Sequence, residues 1–274
     1  MQRKSFLYLF AILALLVAMV PMGAAAQPAA PTAVAAETVG SPQLPTARDA
    51  KLILDGPAAP AAPPANPTAI LFDNGPLTTH PGGGAGGANA SALQTVLGLG
   101  TYGVGHQLLN LNRVADDFTV PAGGWNISTI TFYAYQTGST TTTTINHVNL
   151  QIWNGPPGQG GSSVVFGDTT TNRLAGSSFS NIYRVLDTGL TDSTRPIMAD
   201  VVTVNTSLPA GTYWLDWQTG GTLASGPWAP PVTILGQTGK PGANGLQSVA
   251  GAAFTSLIDT GSGAVQDLPF VIEG

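Results

Sequence analysis

The chain of 274 residues contains no cysteine. That excludes disulfides, thiolate metal sites, a cysteine nucleophile and a lipidated cysteine. Charge is nearly as scarce. Asp, Glu, Lys and Arg make up 8% of the residues, against roughly a quarter in an ordinary soluble domain. The nine Lys and Arg residues form no block, and neutralising phosphates takes clustered cations, so nucleic acid is not an expected partner. There are three histidines, His80, His106 and His147, and two glutamates, Glu37 and Glu273. No Gly-x-Ser-x-Gly or His-Glu-x-x-His motif occurs, so neither a nucleophile elbow nor a helical zinc site is expected. A glycosidase needs two converging acids. With Glu37 in a linker and Glu273 at the end of the chain, aspartates such as Asp216 and Asp200 would have to supply them.

Met1-Gln-Arg3-Lys4 is followed by fifteen uncharged apolar residues over 6–20, by Pro21, and by Gly23-Ala24-Ala25-Ala26. A basic start, a short apolar run and small residues before a cut form the layout of a secretory signal peptide. A membrane span needs about 20 apolar residues. Cleavage is expected after Ala26, and the product is expected to be secreted and extracellular. Loss of Arg3 and Lys4 leaves seven basic residues against fourteen acidic, a net charge of −7. An acidic chain has little attraction for anionic lipid, so no membrane insertion is expected after cleavage.

Residues 27–68 read as a linker, with nine Pro and twelve Ala among 42 residues. Proline removes backbone donors and alanine buries little area, so an extended, disordered spacer is expected. Its one apolar piece is Leu52-Ile53-Leu54. From residue 69 onward, runs of Val, Ile, Thr and aromatics alternate with Gly, Pro, Asn and Ser clusters, which is the pattern of strands and turns. Strands are expected at 69–72, 113–120, 125–135, 144–153, 164–166, 182–186, 197–204, 212–218, 232–235 and 268–272. A helical turn or two is expected at 91–98. The threonine tract 137–144 is expected in a hairpin loop or as the frayed ends of two strands, and the phase break between Ile127 and Ile130 implies a bulge near Ser128-Thr129 or a strand buried on both sides. Ten strands in about 205 residues suit an all-β fold: one antiparallel β-sandwich of jelly-roll type over 69–274.

Two of these strands have a polar face. Trp214, Asp216 and Gln218 alternate with apolar neighbours, and so do His147, Asn149, Gln151 and Trp153. Sugar sites combine an aromatic platform with amides and carboxylates. These seven residues are therefore the candidate ligand-binding set, for polysaccharide or other cell-surface components. No catalytic residue is assigned. No cofactor is expected, although Asp and Asn loops suit a structural calcium ion. Asp116 and Asp117 are adjacent on a strand and should face opposite ways, one of them pairing with Arg113 or another arginine.

Ala115-Asp116-Asp117-Phe118-Thr119-Val120-Pro121, Trp125-Asn126-Ile127 and Leu208-Pro209-Ala210-Gly211-Thr212-Tyr213-Trp214-Leu215 together resemble a module of uncharacterised secreted bacterial β-sandwich proteins. Asp267-Leu268-Pro269-Phe270 is similar to the end of such modules. The resemblance implies fold and export and carries over no catalytic residue. A non-catalytic structural, adhesive or binding role follows as the main expectation. A carbohydrate-binding module and a hydrolase using aspartates are the alternatives.

Overall fold

β-Branched and aromatic runs punctuated by turn residues leave the described chain almost without helix, apart from three single 3₁₀ turns. The computed structural model describes residues 35–40 and 69–274. The expected leader over 1–26 and most of the Ala/Pro-rich segment, including Leu52-Ile53-Leu54, lie outside the described residues. The strands are β1 (Ala36–Thr38), β2 (Ile70–Asp73), β3 (Asn89–Leu93), β4 (Thr101–Gly105), β5 (Arg113–Val120), β6 (Trp125–Ala134), β7 (Ile145–Trp153), β8 (Val164–Asp168), β9 (Leu174–Leu186), β10 (Pro196–Leu208), β11 (Gly211–Gly221), β12 (Trp228–Ala229), β13 (Leu246–Ser248), β14 (Thr255–Ser256) and β15 (Phe270–Glu273).

Two six-stranded sheets form, β2-β15-β6-β10-β9-β3 and β14-β13-β5-β11-β7-β8, with a small third sheet β1-β4-β12. The strand pairs are antiparallel apart from β3 with β9, which is parallel. The two large sheets pack against each other as a sandwich. Ile130, Phe132 and Phe270 of one meet Phe118, Leu150 and Trp217 of the other in a single apolar core. Phe132 stacks on Trp217 with ring centroids 4.5 Å apart. Each such large side chain contributes about 1.5–3 kcal/mol by burial, so the core needs no disulfide.

The expected alternation is present. Tyr213, Leu215 and Trp217 of β11 and Val148, Leu150 and Ile152 of β7 enter the core. Their neighbours in sequence point to the other face of the sheet, because side chains alternate along a strand. The phase break in β6 falls between the buried Ile127 and Ile130. The extra residue sits in the partner strand, where the β10 register shifts between Thr203 and Thr206 and Asn205 takes φ 50°.

Several expectations are corrected. The threonine tract closes no hairpin, since β6 and β7 belong to different sheets and the tract carries the chain between layers. Residues 91–98 begin as β3 and end in a 3₁₀ turn at Thr95–Leu97. Pairing with β9 outweighs the local preference of Asn-Ala-Ser-Ala-Leu. Residues 232–235 form no strand: Val232 and Thr233 donate to Asp267 and Pro76 carbonyls in a loop, after Pro230-Pro231 has removed two ladder donors. The linker boundary also moves. Residues 35–40 are part of the unit Thr32–Gly274, and Ala36–Thr38 pairs with β4.

Candidate functional site on the outer face of β7 and β11

The seven candidate residues come together on one sheet face. In register, Trp214 lies opposite Trp153, Asp216 opposite Gln151, Gln218 opposite Asn149, and Gly220 opposite His147. A Cβ on Gly220 would stand 2.9 Å from the His147 Cβ, so glycine is what lets these two strands meet there. Arg113, from the neighbouring β5, completes the group.

The face is not an open platform. The Arg113 Nε donates to Asp216 Oδ1 at 2.5 Å, Nη2 to the Asp216 carbonyl at 3.1 Å, and Nη1 to Asn149 Oδ1 at 2.9 Å. The Trp153 indole donates to Asp216 Oδ2 at 3.2 Å. Asn149 Nδ2 donates to Gln218 Oε1 at 3.2 Å, and Gln218 Nε2 to the Asn112 carbonyl at 3.2 Å. Trp214, Asp216, Gln218 and Asn149 are all buried, with exposures of 7% or less. His147, Gln151 and Trp153 are half-buried. Burial raises the Asp216 carboxyl above its usual range and outweighs the pull of Arg113. Burial likewise lowers His147. The arrangement is a closed polar network whose donors and acceptors satisfy one another. The expectation that these polar side chains stand free to grip hydroxyl groups holds for none of the four buried residues.

The acids do not form a glycosidase pair. Asp216 faces away from the core, whereas Asp200, on β10 of the other sheet, is wholly buried. It lies beside Phe132 in register, and both its oxygens lack hydrogen-bond partners. Ser177, opposite it in register, is engaged with Thr143 at 2.6 Å. Burial pushes the Asp200 carboxyl up to about 7. Arg113 takes neither Asp116 nor Asp117, contrary to expectation. Asp116 turns inward and accepts from the Asn74 amide at 2.9 Å and the Leu268 N–H at 2.6 Å. The histidines do not assemble with a nucleophile either. His106 is fully buried and held neutral, its pKa lowered by burial to about 3, while His80 sits in a loop with Nδ1 2.9 Å from the Thr79 hydroxyl. Among the described residues, no three His, Asp or Glu side chains converge as a metal cluster would require.

Two open clefts flank the closed network. One, of about 610 Å³, is walled by Trp153, Pro157, Leu246 and Phe254, with Gln159 and Thr255 among its polar lining. Of the candidate set, Trp153 lines this cleft; it is half-buried, with its N–H tied to Asp216. The other, of about 510 Å³, is lined by Leu108, Leu109, Asn110, Asn146, Thr219 and Pro227, with others. The buried Thr219 hydroxyl has no partner there. Sequence reading missed Phe254 and Pro157 as cleft walls, because neither lies in an amphipathic strand. Among the described residues no helix is long and apolar enough to cross a membrane.

No protein-family model matches the chain, and no curated protein and no solved structure matches it either.

Proposed function

We propose that the chain is an exported, non-catalytic β-sandwich that works outside the cell by binding or adhesion. The observation that carries this reading is the closure of the network around Asp216. Its carboxylate is committed to Arg113 and Trp153, and Asp200 is buried on a strand of the other sheet, so these two acids do not face each other across a cleft. The signal-like start and the likeness to secreted bacterial β-sandwich modules support export.

A second reading, carbohydrate binding, is favoured by one feature: the aromatic cleft of Trp153, Pro157 and Phe254. Exposed aromatic faces stack on sugar rings, and neighbouring amides and hydroxyls satisfy their hydroxyl groups. Depletion assays of the purified chain on insoluble polysaccharides, with reducing-sugar release measured in parallel, test both readings. Retention that falls at least tenfold in Trp153→Ala, with no sugar released, is the expected outcome. Release of reducing sugar ends the non-catalytic reading. Retention unchanged in Trp153→Ala ends the cleft reading.

A further inference from the structure

A separate feature lies at the far edge of β4. Ala36–Thr38 pairs antiparallel with it, with Ala36, Glu37 and Thr38 opposite Val104, Gly103 and Thr101. The Gly105 N–H donates to the Ala35 carbonyl at 2.6 Å, and the Val39 N–H to the Gly100 carbonyl at 3.0 Å. Gln247 Nε2 also donates to the Ala35 carbonyl, at 2.6 Å. Its central side chain, Glu37, is 6% exposed and anchors the strand. Its carboxylate accepts from Arg195 Nε at 2.9 Å, from the Tyr135 hydroxyl at 2.8 Å and from the Thr137 hydroxyl at 2.7 Å.

The receiving side is built entirely from the sandwich. The Arg195 guanidinium lies over the Tyr102 ring at 4.0 Å. Gly103 has no side chain in the way: a Cβ there would stand 2.5 Å from the Tyr135 hydroxyl, so glycine lets the phenol reach the strand that pairs with β4. Without Glu37, the cation and two hydroxyl donors would face a vacant strand position. Asp192, at 3.3 Å from Arg195 Nη1, would be the remaining carboxylate partner. Charge-assisted hydrogen bonds to a carboxylate are stronger than those to a neutral group, so three donors converging on one strand position select an acid. Backbone pairing to an edge strand with one side chain set in a pocket is the general mode of peptide recognition by strand addition.

We propose that this socket is a strand-binding site for an extended segment with a glutamate at its centre, and that its resident strand exchanges for residues 35–39 of a second copy of this chain. The occupant makes a three-residue strand, and 28 residues separate Gly40 from Ala69 in the sequence, so another copy offers the same segment to the same socket. Strand and socket joined in one chain meet at an effective concentration on the order of millimolar. Exchange therefore belongs to chains crowded to that density, as on a surface, and dilute chains keep their own strand. This inference is independent of any sugar binding at Trp153.

Complementation between two full-length variants tests it. Glu37→Gln weakens the strand and leaves the socket intact; Arg195→Gln weakens the socket and leaves the strand intact. Native mass spectrometry of the mixture, equilibrated at millimolar concentration and cross-linked before dilution, is expected to show at least tenfold more one-to-one heterodimer than dimer in either variant alone. A mixture that stays monomeric, with both variants folded by circular dichroism, overturns the proposal. If Arg195→Gln does not fold, a fluorescent peptide of residues 33–41 replaces it as the strand donor. The folded Glu37→Gln chain is expected to bind this peptide at least tenfold more tightly than the same peptide with glutamine at its centre, and equal affinity overturns the proposal. If Glu37→Gln does not fold, the intact chain is titrated with the peptide into the millimolar range. Saturable binding by the glutamate form and none by the glutamine form is then expected, and no binding by either overturns the proposal.

Discussion

Two buried arginines in this sandwich hold carboxylates in different ways. Arg113 and Asp216 sit on neighbouring strands of one sheet, 103 positions apart in sequence, and their partners Asn149 and Trp153 come from the next strand of the same sheet. Arg195 takes its carboxylate from Glu37, 158 positions away, on a segment joined to the sandwich by the β1–β4 ladder. A third arginine, Arg184, is fully buried with no carboxylate. It donates to the Tyr102, Thr101 and Ser91 carbonyls and to the Ser91 and Thr233 hydroxyls, and burial lowers its pKa to about 10. The contrast shows that a buried guanidinium does not require an acid. It requires its donors filled, and carbonyls suffice where the backbone supplies enough of them. Asp216 and Glu37 therefore do different work: the first closes a sheet face, and the second fastens a distant segment.

Removing the fixed partner should cost more than removing the delivered one. Asp216→Ala leaves the Arg113 charge buried where it is, and a loss of about 3–5 kcal/mol is expected, read from the urea midpoint. A loss below about 1 kcal/mol would mean that the network is ornamental.

Asp200 sharpens the comparison as a buried acid with no arginine. Its folded carboxyl is raised to about 7, against roughly 3.9 unfolded. The folded chain thus binds this proton more tightly than the unfolded chain. The associated stability is fully present below the unfolded value and is lost as pH rises toward 7, by up to about 4 kcal/mol. Asp200→Asn should remove most of that decline. Asp116, also raised by burial, remains in both proteins, so the difference between the two pH profiles isolates Asp200. Superimposable profiles would show that Asp200 stays ionised in the fold.

Glu37→Gln should cost least, roughly 1.5–3 kcal/mol for hydrogen bonds to a charged group. With β1 released, Arg195 regains water and keeps Asp192. Hydrogen exchange should then rise at Gly105, whose N–H donates to Ala35, and stay unchanged at Asp216. Rapid exchange at both would show that the two arginine sites are not separate units.

Much of the sandwich was legible because alternation is a local property. The faces of β7 and β11 followed from residues two apart, and β5 occupies the expected 113–120. The serine- and glycine-rich start of β9, Leu174-Ala-Gly-Ser-Ser, reads as a turn by composition, yet pairing with β10 holds it extended. β1 escaped notice because alanine and proline around Glu37 gave no periodic signal. The candidate site was legible as a set of residues on one face but not as a closed set, because cross-strand register decides which acid Arg113 meets.

The lack of cysteine settled a body without disulfides, and the two-residue period of a strand settled its all-β class and the two faces of β7 and β11. Which faces are closed, which acid meets which arginine, and that a segment near residue 37 belongs to the sandwich were decided only by the packed structure. The two arginine–acid pairings span 103 and 158 residues, and no local preference encodes a contact at that distance.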